Sequence, residues 1–128
     1  MIVREAFGGE TRFAGFEKGT GAQPSVVSDR LKRLLEAGIL ERHEYTAHPP
    51  RLEYRLTQKG EDLYPVMMAL NKWGDQHLAG EVGPPVVYRH RSCGHDADPT
   101  IACGHCRVPL LRSDVDREPE QLASSDVV

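Results

Sequence analysis

Between Pro24 and Gly38 the chain carries its own start and stop signals for one helix, and this segment limits the fold more than any other. Proline suits the first helical position, because its missing N–H would lack an intrahelical partner there in any case. Val27, Leu31, Leu34 and Leu35 recur at three- and four-residue spacing, which lays an apolar stripe along one side. Gly38 follows Ala37 at the place where a left-handed residue ends a helix at low cost. The other side holds Ser25, Ser28, Asp29, Lys32 and Glu36, flanked by Val26, Arg30 and Arg33. Such a helix is anchored by one face and free to touch a partner with the other. On pattern alone an ordinary solvated surface helix accounts for it equally well.

The surroundings narrow the choice. Ile2, Val3, Ala6 and Phe7 have near-helical spacing before the Gly8-Gly9 break, and Arg12 to Phe16 form a second short segment closed by Gly19-Thr20-Gly21. After Gly38, Ile39 to Tyr45 and Arg51 to Thr57 alternate polar with apolar or aromatic residues across Thr46-Ala47-His48-Pro49-Pro50, the pattern of a β-hairpin. The Thr57 hydroxyl can cap the next helix, which is striped by Leu63, Val66, Met67, Leu70, Trp73 and His77. Pro65 removes a hydrogen bond to the Glu61 carbonyl, so this helix either kinks or starts later than Thr57. Gly83-Pro84-Pro85 reads as a boundary.

Short helices, a glycine-containing turn, a longer helix and then a hairpin are the order of a winged helix-turn-helix, an α+β fold. A helix fits the major groove of DNA and shows base edges to its N-terminal side chains, while a hairpin can lay cations along the neighbouring backbone. With 128 residues there is room for one such domain, residues 1–80, and an appendage. The net charge of −3 conceals a division: residues 1–60 carry ten Lys and Arg against eight Asp and Glu, and residues 61–128 six against eleven. A weakly basic first half is compatible with phosphate contact. Within it, Ser25, Val26, Ser28 and Asp29 occupy the turns that meet bases, with Arg30 beside them. Lys32, Arg33 and Arg51 are placed for phosphate or wing contacts.

Residues Arg12 to Gly60 resemble the HxlR family of winged helix-turn-helix regulators, relatives of the MarR type. The resemblance rests on Arg12-Phe13, on Leu31 with the Glu36-Ala37-Gly38 turn, on the wing Pro49-Pro50-Arg51-Leu52-Glu53-Tyr54, and on Leu56-Thr57-x-x-Gly60, and it extends through Trp73. It implies a transcription regulator that binds double-stranded palindromic operators as a homodimer, with the last long helix pairing the subunits and no effector specified. Leu63, Val66, Met67, Leu70 and Trp73 are then the expected dimer interface. Family members usually carry a further helix, and often a cysteine, ahead of the position matched by Ile2, so by this resemblance the chain is expected to be short at its N-terminus.

A second constellation lies beyond Gly83-Pro84-Pro85. Nine residues, 94–102, separate His90-Arg91-Ser92-Cys93 from Cys103-Gly104-His105-Cys106, and all three cysteines of the chain fall between 93 and 106. Two ligand pairs, each with two intervening residues, are the spacing of a zinc ribbon, so residues 86–111 are expected to hold one structural zinc on His90, Cys93, Cys103 and Cys106. His95 and His105 are weaker ligand candidates. The alternatives are an unstructured tail with incidental cysteines or a labile Cys103–Cys106 disulfide. Residues 112–128 are rich in Asp, Glu and Ser and poor in apolar side chains, the composition of a disordered acidic tail.

Other functional classes find little in the sequence. No phosphate-cradling loop, nucleophile elbow or carboxylate pair points to catalysis, and His43, His48 and His77 are isolated, so no enzyme is expected. No apolar run reaches the roughly 20 residues of a membrane span, and the first residues lack a signal-peptide pattern, so a cytoplasmic location is expected. A zinc- or thiol-dependent interaction or redox adaptor on a winged-helix scaffold is the competing class, and operator binding at physiological salt separates it from a DNA reader.

Overall fold

Three helices, a hairpin and two further helices follow one another in the first 77 residues of the computed structural model: α1 (Ile2–Phe7), α2 (Phe13–Thr20), α3 (Pro24–Glu36), β1 (Leu40–Ala47), β2 (Pro50–Leu56), α4 (Gln58–Glu61) and α5 (Tyr64–His77). The structure describes residues 2–83 and 86–119, and the chain divides into two compact units, Met1–Pro85 and Val86–Val128. The expected α+β winged helix-turn-helix is the architecture of the first.

Helix boundaries follow local chemistry. Gly21 takes φ +68° after α2, and its N–H reaches the Glu17 carbonyl at 2.9 Å. At the end of α3, Gly38 takes φ +74°; its N–H bonds the Leu35 carbonyl at 3.1 Å, and the Ile39 N–H bonds the Leu34 carbonyl at 2.9 Å. This paired closure satisfies carbonyls that a bare helix end would leave open. Thr57 caps α4 by accepting from the Gly60 N–H at 3.1 Å, and its hydroxyl in turn faces the carbonyls of Gly38 and Ile39. Lys59 Nζ donates to the Ala37 carbonyl at 2.8 Å. The residues just after the hairpin thus hold the C-terminal end of α3. The approach is close enough to require glycine at position 60, where a Cβ would lie 2.3 Å from the Ile39 carbonyl oxygen.

The two strands pair antiparallel from Leu40 opposite Leu56 to Ala47 opposite Pro50, with a register shift between Glu44 and Thr46. They run further into the expected loop than alternation suggests, leaving only His48 and Pro49 between them. Pro50 is tolerated because it is the first residue of its strand. Of the two outcomes expected at Pro65, the later start occurs: α4 stops at Glu61 and Pro65 lies in the first turn of α5.

Ile2, Ala6, Phe16, Val27, Leu31 and Leu40 form the buried core, with Phe13, Ala22, Leu34, Leu35, Tyr54 and Leu56 packed on it. Burial of the Ile2, Phe16, Val27, Leu31 and Leu40 side chains stabilises the fold by about 1.5–3 kcal/mol each. α5 contributes none of these residues: Val66, Leu70 and Trp73 are 52%, 66% and 56% exposed. Its N-terminal Tyr64 meets Phe7 edge-on, with ring centroids 5.2 Å apart.

In the second unit, Arg112–Asp114 form a 3-10 turn inside the segment whose composition suggests a disordered tail, and residues 120–128 lie outside the described part. No helix among the described residues is long and apolar enough to cross a membrane.

Candidate nucleic-acid interface and the cysteine-rich segment

Burial of Val27 and Leu31 fixes the roll of α3 on the core, and this roll leaves Ser25, Val26, Ser28, Asp29, Arg30, Lys32 and Arg33 all exposed. These residues do not act as independent points. Asp29 and Arg33, one helical turn apart, pair at 3.2 Å, so the carboxylate on this face is offset by its own neighbour. The pair is solvent-exposed, with an interaction of about 0.2–1 kcal/mol, and can open to engage another charge. Val26, Asp29, Arg30 and Arg33 border a groove of about 590 Å³ whose apolar side is formed by Ile2, Val3 and Leu34.

On the opposite flank, Ser28 and Lys32 share a groove of about 420 Å³ with Arg42 and Tyr54 of the hairpin. Arg42 is absent from the contacts expected from sequence, yet it places a wing cation beside α3. The signal was available in the alternation: Leu40 is buried on the core side, and Arg42 stands two residues further along the same face of β1. Arg51 lies exposed near the hairpin tip, opposite Thr46. Arg12, before α2, sits 4.7 Å above the Tyr45 ring centroid, bracing the bulged part of β1 by a cation–π contact. Arg55 is drawn to Glu53 at 3.0 Å.

The expected dimer residues fall on and before α5. Leu63 precedes the helix at 37% exposure, Val66, Leu70 and Trp73 are more exposed, and Met67 is half-buried. Trp73 and His77 stack at an inclination with centroids 5.3 Å apart.

The four expected metal ligands come together as two pairs. His90 Nδ1 lies 3.7 Å from Cys93 Sγ, while Cys103 and Cys106 interact through their side chains. Among the described residues no group of three or more His, Cys, Asp or Glu side chains is gathered as a metal site. Each pair sits on a tight turn. In the first, the Gly94 N–H bonds the His90 carbonyl at 2.8 Å and the His90 N–H bonds the His95 carbonyl at 2.9 Å. In the second, the Arg107 N–H bonds the Cys103 carbonyl at 2.8 Å and the Cys103 N–H bonds the Val108 carbonyl at 2.9 Å. The backbone amides of Cys106 and His105, helped by the Cys106 side chain, hold the Cys103 thiol below the usual thiol range.

The chain is similar to known proteins in sequence and fold. Residues 1–82 match the family described as HxlR-like helix-turn-helix. An uncharacterised HTH-type transcriptional regulator of Mycobacterium tuberculosis is 40% identical over 119 residues, which cover 93% of this chain and 75% of the relative. The crystal structure of a candidate transcription factor, PA1607, superposes with a TM-score of 0.82 at 30% identity, covering 93% of this chain and 83% of the other. The reduced form of the transcriptional regulator YodB from B. subtilis superposes over 64% of this chain and 79% of its own, with a TM-score of 0.55 and 29% identity. The matched segment contains α3, its hairpin and the Thr57–Gly60 junction, and the chain belongs to the HxlR-like helix-turn-helix family of DNA-binding transcription regulators.

Proposed function

We propose that this regulator works as a homodimer on palindromic duplex DNA, each subunit laying α3 in a major groove and its hairpin along the adjoining backbone. The observation that carries this reading is the pairing of an exposed polar α3 face with an exposed apolar α5 face. Val66, Leu70 and Trp73 are each more than half exposed and lie three or four residues apart on one helix. A stripe of this kind is costly in water, and a second copy of the same helix is its simplest cover. Two-fold pairing would set the two α3 helices about 34 Å apart, one turn of the duplex.

Roles within the reading head follow from position. Ser25, Val26, Ser28 and Asp29 stand on the first turns of α3, where side chains meet base edges. Arg30, Lys32, Arg33 and Arg42, which border the two grooves beside α3, and Arg51 near the hairpin tip would face phosphates. Asp29 is kept compatible with a polyanion by Arg33. Contact by the wing cations would make affinity fall steeply with salt.

The test begins with sequencing the DNA fragments that the purified protein retains, followed by titration of a labelled duplex at several salt concentrations. Lys32→Ala and Arg51→Ala should weaken binding to every sequence alike and lower the salt slope by about one unit each, whereas Ser28→Ala should change the preferred sequence. Equal effects from both kinds of substitution would reject the division of roles. In sedimentation, Leu70→Glu should convert dimer to monomer and weaken operator binding. A wild-type protein that stays monomeric at high micromolar concentration yet binds its palindrome tightly would reject the dimer.

A further inference from the structure

The cysteine-rich segment is built as a structural repeat. Every backbone contact of its first turn recurs thirteen positions later: Gly94 to His90 becomes Arg107 to Cys103, and His90 to His95 becomes Cys103 to Val108. The Ala97 to Tyr88 bond becomes Leu110 to Ile101. The flanking antiparallel bridges correspond in the same way, Arg89 with Asp96 and Ala102 with Pro109. The residue after each turn takes positive φ, +73° at Gly94 and +65° at Arg107. Two short hairpins of one design therefore present His90 and Cys93, and Cys103 and Cys106, from equivalent first and fourth turn positions.

A second observation concerns what holds these hairpins. Among the described residues from 86 to 119 none is buried, and Val86, Val87, Ile101, Val108, Leu110 and Leu111 are all about half exposed or more. A unit of this size without an apolar core needs another source of order, such as a disulfide or a metal. A Cys103–Cys106 disulfide would account for the second hairpin only. The first has an imidazole at the position equivalent to Cys103, and imidazole cannot join a disulfide but is a regular ligand of zinc.

We propose that residues 86–111 bind one Zn²⁺ through His90, Cys93, Cys103 and Cys106, the two preformed hairpins closing on the ion as it binds. The first half-site has the required dimensions. With Zn–S near 2.3 Å and Zn–N near 2.0–2.1 Å, the sulfur-to-nitrogen edge of a tetrahedron is about 3.5–3.6 Å, and the Nδ1-to-Sγ separation is 3.7 Å. Nδ1, the nitrogen that faces Cys93, is the ligating one; the Ser92 hydroxyl lies along the same ring edge, 3.1 Å from Nε2 and 3.4 Å from Nδ1. Three thiols lose their protons on binding, and the resulting site of three thiolates, one neutral imidazole and Zn²⁺ carries one net negative charge, with Arg91 and Arg107 as adjacent cations. Four protein ligands leave no open position, so the metal is structural. The module is distinct from the DNA-reading surface, and its metal content can be measured whether or not operator binding is found.

Full-length protein purified with reductant and without chelator is the material for the test. Elemental analysis should find one zinc per chain, and zinc-edge absorption should find three sulfurs near ~2.3 Å and one nitrogen near ~2.0 Å. Cobalt substitution should give the visible bands of a tetrahedral thiolate site. Cys93→Ser and Cys103→Ser should each abolish stoichiometric metal, His95→Ala and His105→Ala should retain it, and His90→Cys should keep one metal with four sulfurs. The last variant shows that loss in the others is loss of a ligand, not of fold. Zinc-free wild-type protein, a Cys103–Cys106 disulfide in its place, half a zinc per chain, or retention of metal by Cys93→Ser would overturn the proposal.

Discussion

The two units of this chain solve the same problem by opposite means. Met1–Pro85 encloses Phe16, Val27 and Leu40 almost completely and gathers Ile2, Ala6 and Leu31 around them. In Val86–Val128 no described residue is buried, and order rests on a few backbone hydrogen bonds repeated in two hairpins. The first unit is held by a continuous apolar core, so it tolerates a polar outer face on α3, the face proposed above to read DNA. The second has local turns without a core, and hydrogen bonds exposed to water contribute little net stability. In the proposal above, closure there comes from coordination.

The sharpest way to break this contrast is to remove the proposed closure. Chelation should release the metal and disorder residues 86–111, seen as loss of amide protection, because structural zinc in small modules is bound with about 10–16 kcal/mol of apparent free energy. The melting transition of the winged helix should stay where it was. A joint collapse of both units on chelation would show that they depend on each other.

Phe16→Ala probes the opposite side of the comparison. Phe16 has no solvent exposure and touches Tyr54 edge-on at a centroid distance of 6.4 Å. Truncation should cost about 3–5 kcal/mol in denaturant titrations and abolish DNA binding at elevated temperature, with zinc content unchanged. A loss of metal in this variant would argue against separate sources of order.

A smaller effect is expected at the junction that holds α3. In Gly60→Ala the new methyl would lie 2.3 Å from the Ile39 carbonyl oxygen, a backbone atom that cannot swing aside. Overpacking of this kind costs about 1–3 kcal/mol. Because Thr57 and Lys59 hold the end of α3 from the same turn, operator affinity should fall by more than stability alone explains. A neutral outcome in both measurements would dissociate the junction from the reading head.

The smallest change is Arg107→Gly. Arg107 occupies φ +65°, where Gly94 stands in the sister hairpin. Left-handed backbone costs a side-chain-bearing residue about 1–2 kcal/mol, offset in part by the greater chain entropy of glycine when unfolded. Zinc affinity, measured by competition with a chromophoric chelator, should rise by a few-fold or less. A clear weakening would mean that the Arg107 charge matters more to the site than its backbone does.

Much of the first unit was legible because its signals are local. Pro24 and Gly38 bracket α3 as their backbone chemistry requires, and Thr57 caps α4 as a hydroxyl before a helix does. The Asp29–Arg33 pair was equally local, at one helical turn, but counting residues by face hides a neutralised charge. Arg42 illustrates another omission: its strand face was readable, but its approach to Lys32 required knowing how the hairpin folds back beside α3.

What the sequence determined by itself were the properties set within a few residues: helix starts and stops, strand alternation, and His and Cys at the spacing of two turns. Tertiary structure decided which faces are covered. The stripe of α5 could have been core or interface, and only packing leaves Val66, Leu70 and Trp73 exposed, because the core is already closed by α1, α2, α3 and the hairpin. Likewise, the equivalence of the two hairpins is hidden at the level of residue identity, since only the cysteine at the fourth turn position is common to the pairs His90/Cys93 and Cys103/Cys106. It lies in backbone hydrogen bonds and in positive φ at two chemically unlike residues, Gly94 and Arg107. Such geometry depends on where the chain turns and what it meets there, and composition carries no record of that.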